Sequence, residues 1–270
     1  MSRSLFAFSL AALSLSLVPA CIDSDDDGSA DEAALVTHPE DDYAGSMIMA
    51  VEGEETTGIE PEVVTQTPGM DVSSYQGAVN WSSAASHGAK FAYIKATEGT
   101  GYTNPEFAQQ YNGSYHAGII RGAYHFALPN VSSGATQANY FVNHGGGWSK
   151  DGKTLPPAID LEYNPYGSSC YGKTHAQMVS WIRDFANTIK ARTGRDMVIY
   201  TSTSWWTLCT GNNNTFGNNP LWVARYASSV GTLPAGWGFY TIWQNADHGV
   251  FPGDHDYFNG AYDRVKAFAL

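Results

Sequence analysis

Lysine and arginine are absent from residues 21–66, where fourteen acidic side chains stand without one fixed cation. Such a stretch buries too little apolar surface to offset its ordering entropy, so it reads as a solvated acidic linker. The run Asp23–Gly28 lacks the spaced ligands and closing Glu of an EF-hand loop, which excludes that calcium site. Residues 67–270 carry twelve acidic and thirteen basic side chains, so the net charge of −12 belongs to the linker. No basic block appears there, and nothing marks a nucleic-acid partner. Histidine pairs at ligand spacing are also missing, the eight His residues being scattered singly. After residue 20 no apolar run approaches the ~20 residues that a bilayer span needs.

The first twenty residues do hold an apolar run. Arg3 precedes Leu5–Val18, and Val18-Pro19-Ala20 offers small-residue cleavage chemistry, so residues 1–20 read as an export signal. Cys21 follows directly in Leu17-Val18-Pro19-Ala20-Cys21, which resembles a bacterial lipobox apart from Pro19. Two outcomes stay open, lipidation of Cys21 or cleavage at Ala20 that leaves a thiol. The protein is therefore expected outside the cell or in its envelope, touching a membrane only through a lipid on Cys21. Cys170 and Cys209, 39 positions apart, are free to pair in such a compartment. A cross-link of that span contributes about 3–4 kcal/mol.

All eight Trp lie after residue 66, so residues 67–270 are expected to hold both core and site. Short β-branched and aromatic runs predict strands at Gly69–Val72, Phe91–Ala96, Ile119–Phe126, Ala158–Glu162, Met197–Thr201, Leu221–Arg225 and Tyr240–Gln244. Helices are expected at Asn104–Ala117, Ser133–Val142 and Thr174–Arg192. In the last, Met178, Trp181, Ile182, Phe185 and Ile189 form one helical stripe, Thr174 can cap it and Gly194 can end it. Strand–helix alternation implies a mainly parallel α/β sheet, closed as a barrel or left open.

Polar residues ending apolar strands mark function in such sheets. Ala158-Ile159-Asp160-Leu161-Glu162 ends a strand in two carboxylates that share one face, since residues i and i+2 point the same way. Two close carboxylates resist ionising together, which lets one hold a proton for a glycosidic oxygen while the other stays charged. Asp71 and Asp254 add acids at other strand ends, and Tyr124 and His125 end a third strand. Tyr163, Tyr200, Trp205, Trp206, Trp222, Tyr226 and Trp243 recur nearby, and sugar rings pack on such faces, with Tyr124 and Trp222 the foremost candidates for contact.

Gly69-Met70-Asp71-Val72-Ser73-Ser74-Tyr75-Gln76-Gly77 and Phe91-Ala92-Tyr93-Ile94-Lys95-Ala96-Thr97-Glu98-Gly99 resemble the opening motifs of glycoside hydrolase family 25, the Chalaropsis-type lysozymes. Gly122–Phe126, Asp160–Glu162, Trp222-Val223-Ala224-Arg225-Tyr226 and Trp243-Gln244 continue the match in order over nearly all of residues 67–270. The resemblance implies an irregular single-domain β/α barrel with fewer helices than the eightfold form. It also implies an N-acetylmuramidase acting on peptidoglycan glycan strands as a monomer, with neither metal nor cofactor. Glu162 is then the general acid, Asp160 its partner at the substrate acetamido group, and Asp71 and Asp254 (chosen over Asp256) line the groove. Substrate contacts are expected from Tyr124, His125, Tyr163, Tyr200, Trp222, Tyr226 and Trp243. Two rivals are a metal-dependent polysaccharide deacetylase built on His125 and Asp160, and a wall-binding protein without turnover. The second has no need of both Asp160 and Glu162.

Overall fold

Apolar strands buried on both faces need a wall covered inside and out, and this chain builds one. The structure, a computed structural model, describes residues 38–55 and 65–270. The expected signal, Cys21 and linker residues 22–37 and 56–64 lie outside the described residues. Nine strands follow in order: β1 (Gln66–Val72), β2 (Phe91–Glu98), β3 (Tyr102–Thr103), β4 (Ile120–Phe126), β5 (Ala158–Asp160), β6 (Val198–Thr201), β7 (Leu221–Ala224), β8 (Ile242–Ala246) and β9 (Asp254–Asn259). β3 is a short arm on β2, and the other eight close a ring, because β1 pairs with both β2 and β9. The ring is parallel except for β9, which runs antiparallel to β8 and β1.

Among the described residues seven α-helices accompany the ring: α1 (Ser46–Glu52), α2 (Trp81–Ser86), α3 (Phe107–His116), α4 (Gly134–Asn143), α5 (His175–Thr193), α6 (Thr203–Thr210) and α7 (Tyr262–Phe268). This is the irregular barrel that the sequence implies. In α5, Thr174 and Gln177 form a capping box, and Gly194 closes the helix at φ 76°. Its buried residues are the five of the expected stripe. Cys170 and Cys209 are joined, with Cα atoms 5.2 Å apart, tying the loop after β5 to α6.

Strand alternation sorts side chains between the lumen and the helix layer. Tyr124 and Phe126 of β4 face the lumen, so His125 must face out. It is fully buried between strand and helices, stacked on Phe185 of α5 at 5.4 Å and tilted against Phe141 of α4. The Gln137 amide accepts the Leu128 N–H through Oε1 and donates to the Leu128 carbonyl through Nε2. Its Oε1 therefore also accepts from His125 Nε2 at 3.0 Å, and Nδ1 takes the Thr97 hydroxyl at 2.7 Å. His125 is thus a neutral packing residue, not a substrate contact.

A bulge in β2 has a chemical result. Pairing with β4 shifts between Lys95 and Thr97, so Lys95 and Glu98 both face inward, although i and i+3 of a regular strand point apart. They form an ion pair at 2.6 Å with almost no solvent access.

Burial lowers the His125 pKa to about 4, so the unfolded chain takes up this proton first as pH falls. The contribution of neutral His125 to stability is whole above pH 6.5 and is lost on acidification toward 4. The gap in unfolding free energy between wild type and His125→Asn should shrink by about 3 kcal/mol from pH 7 to pH 4. Urea titrations at the two pH values measure it, and an unchanging gap would mean a solvated imidazole.

Candidate active site

The carboxyl ends of the parallel strands form one mouth, and β9, being antiparallel, presents its first residue there. That is why Asp254 sits beside Asp71, its register partner across the β1–β9 ladder. Asp160 ends β5, and Glu162 follows two residues later, past the strand. Gln244 of β8 joins the group: its Nε2 donates to Asp71 at 2.8 Å and to Asp254 at 3.0 Å. Its Oε1 accepts the hydroxyls of Tyr200 at 2.6 Å and Tyr226 at 2.8 Å. Asp256, two residues into β9, also faces inward and accepts Trp222 Nε1 at 2.8 Å.

Five carboxyls share this space, and burial is the first cause of each upward pKa shift. Asp71 rises to about 8, against the hydrogen bond from Gln244. Glu162 also rises to about 8, opposed by backbone N–H donors from Gly45, Ile48 and Met47. Asp160 lies well above the ordinary carboxylate range, through burial and then the charge of Glu162. Among the described residues no N–H or hydroxyl reaches either Asp160 oxygen, and the carboxyl meets that of Glu162 through a shared proton. Asp254 and Asp256 are raised too, by burial and by Asp71.

The structure brings Asp71, Asp160, Glu162, Asp254, Tyr124, Tyr200 and Tyr226 together. Tyr163 stands at the rim, its hydroxyl 3.0 Å from Glu52. Three expected contacts lie elsewhere. His125 is in the helix layer. Trp243 neighbours inward-facing Gln244 and so points out, lining a surface cavity of about 540 Å³ with Trp237 and Tyr240. Trp222 does face the lumen, but fully buried below the mouth, stacked on Tyr93 at 4.9 Å and edge-on to Tyr124 and Tyr200. It forms the floor under the acids. With His125 outside the wall and Asp160 inside, they cannot share a metal ion, which removes the basis of the deacetylase reading.

Sequence reasoning gave no site role to Gln244 or the Lys95–Glu98 pair, and passed over Asp256 in favour of Asp254. Parity could have found Gln244 and Asp256, since Gln244 stands opposite Asp256 in the β8–β9 ladder. The larger miss is residues 38–55, read as spacer. They fold onto the mouth, where Gly45 N–H donates to Glu162 Oε1 at 2.9 Å, and Met47 and Ile48 N–H donate to Oε2 at 2.9 and 3.0 Å.

Comparison with known proteins agrees with this geometry. Residues 70–254 match the model of glycosyl hydrolases family 25. The chain is 52% identical over 206 residues to an N,O-diacetylmuramidase of Chalaropsis sp, covering 74% of this chain and 98% of that one. It is 49% identical over 223 residues to Lysozyme M1 of Streptomyces globisporus, covering 80% and 76%. Among solved structures, a muramidase from Acremonium alcalophilum superposes with a TM-score of 0.74 at 56% identity, covering 75% of this chain and 98% of that one. With that match spanning the strands that carry all four expected acids, the chain belongs to glycosyl hydrolase family 25.

Proposed function

We propose that the protein is a lysozyme that hydrolyses the β-1,4 bond between N-acetylmuramic acid and N-acetylglucosamine in bacterial peptidoglycan, with Glu162 as general acid. The observation that carries this reading is the buried acid cluster at the barrel mouth, where Glu162 is the carboxyl that touches what occupies the cleft. With the mouth filled, burial raises its pKa to about 8, and a substrate that buries it likewise would keep a proton available at neutral pH for the leaving oxygen. Asp160 is deeper and takes no N–H or hydroxyl donor among the described residues, which suits it to hold the N–H of the substrate's 2-acetamido group. The acetamido oxygen then closes on C1 as the C1–O bond breaks and Glu162 gives up its proton. Water opens that ring, Glu162 recovers the proton, and configuration is retained. Asp71 and Asp254 flank the developing positive charge, and the hydroxyls of Tyr124, Tyr200 and Tyr226 face the same space. The enzyme is taken to act as a monomer, and no step written above calls on a metal or cofactor.

Replacing Glu162 by Gln should leave the fold intact and lower release of reducing ends from purified peptidoglycan about 10²–10⁴-fold. Mass spectrometry of the wild-type digest should find muramic acid at the new reducing end. Glucosamine there would overturn the bond assignment, and undiminished activity of the variant would overturn the acid.

Export is part of the same proposal: residues 1–20 direct secretion, and Cys21 carries a lipid that holds the enzyme in the envelope. Growth with a fatty-acid analogue should label wild type and not Cys21→Ala. Equal absence of label from both would mean a freely secreted protein.

A further inference from the structure

An acid that must protonate a polymer cannot work at 1% exposure, and what covers Glu162 is the chain itself. Ala44, Met47 and Ile48 are buried at the mouth, an apolar island in the acidic stretch. The Ala44–Gly45 peptide unit is held on both sides: its carbonyl accepts Gln244 Nε2 at 2.8 Å, and its N–H donates to Glu162 at 2.9 Å. Ala44 N–H donates to the Tyr124 hydroxyl at 3.2 Å.

The segment is anchored at both ends. Upstream, Lys95 Nζ donates to the carbonyls of Pro39 and Asp42 at 2.9 and 2.5 Å, and the Tyr166 hydroxyl lies 2.6 Å from the carboxylates of Asp42 and Glu98. Downstream, Glu52 accepts the hydroxyls of Tyr163 and Ser202, and Glu55 pairs with Arg225 at 2.5 Å. Gly45 is the keystone. Its φ is +100°, and a Cβ there would fall 1.8 Å from the Tyr226 hydroxyl and 2.7 Å from Gln244 Oε1. No other residue fits without opening the site.

We propose that residues 38–55 are an autoinhibitory segment that fills the sugar-binding mouth and keeps the enzyme latent until it is displaced. The inference rests on the glycosidase reading of Glu162 for its effect on activity, though not for the docking itself. An N-acetyl sugar carries the same amide as the Ala44–Gly45 peptide, a carbonyl on one side and an N–H on the other. The segment therefore fills the mouth with a group of the same polarity and takes both oxygens of the acid that the glycosidic oxygen must meet. Three quarters of this chain accounts for 98% of the Chalaropsis and Acremonium muramidases, so the remaining quarter has no counterpart in them.

The test uses the full chain with Gly45→Val, which leaves every barrel group in place, and Ile48→Asp as a second variant. Amide exchange should show Met47 and Ile48 protected in wild type and exposed in both variants. Both should release reducing ends from peptidoglycan at least about tenfold faster than wild type, because the open state is no longer a minor population. A synthetic peptide of residues 38–55 should slow the variants, and the same peptide with Gly45→Val should not. Equal, measurable activity in all three chains would overturn latency while leaving the muramidase reading intact. So would unchanged protection of the segment in the variants. Exposed amides with no cleavage by any chain would instead overturn the muramidase reading of Glu162.

Discussion

The constraint on which the site depends is an excess of buried negative charge. Asp71, Asp160, Glu162, Asp254 and Asp256 share the lumen, and Lys95 is the only fully buried lysine or arginine among the described residues. Lys95 is already committed to Glu98 at 2.6 Å. Five carboxyls without matching cations cannot all ionise, so protons must be held inside, which is the condition an acid catalyst needs. The surrounding wall follows from the same need. Neutral donors such as Gln244 and the Trp222 indole carry partial positive charge to particular oxygens without neutralising the group as a whole.

The same shortage explains why a peptide docks there. An acid-rich pocket favours backbone N–H groups, and residues 45–48 supply three to one carboxylate. Two acids of the segment lie outside the cluster, Glu52 meeting hydroxyls and Glu55 meeting Arg225, while Asp42 is buried and joined to Glu98 through the Tyr166 hydroxyl. An acidic stretch thus binds an acidic site by turning its backbone N–H groups onto Glu162 and giving its own carboxylates other donors.

How far the sequence was legible depended on what fixed each element. α5 carries its own caps and stripe, so its limits and buried face could be read directly. Asp160 and Glu162 were legible because they stand two apart at the end of an apolar run, although the strand itself stops at Asp160. The facing of His125, Trp222 and Trp243 was not, because a wall covered on both sides allows polar residues in either parity. β9 escaped notice since Asp254-His255-Asp256 lacks the apolar character of a strand, its inward face being the acid cluster itself. α1 was hidden for a different reason. Seven residues hold no helix alone, so its conformation is a property of the mouth it covers rather than of its own composition.

The link between Cys170 and Cys209 gives this site a dependence on electrons. Cys170 lies eight residues after Glu162, and next to it Tyr171 donates its hydroxyl to the Glu162 carbonyl at 3.2 Å. At the other end, Cys209 belongs to α6, capped by the Ser202 hydroxyl that also meets Glu52. One covalent bond therefore staples the backbone of the acid to the helix that holds the tail of the covering segment. Oxidation becomes an ingredient of assembly: while the two sulfurs stay reduced, the acid's loop and the far wall of the mouth are held by weak contacts alone. The finished geometry is one that forms where thiols oxidise.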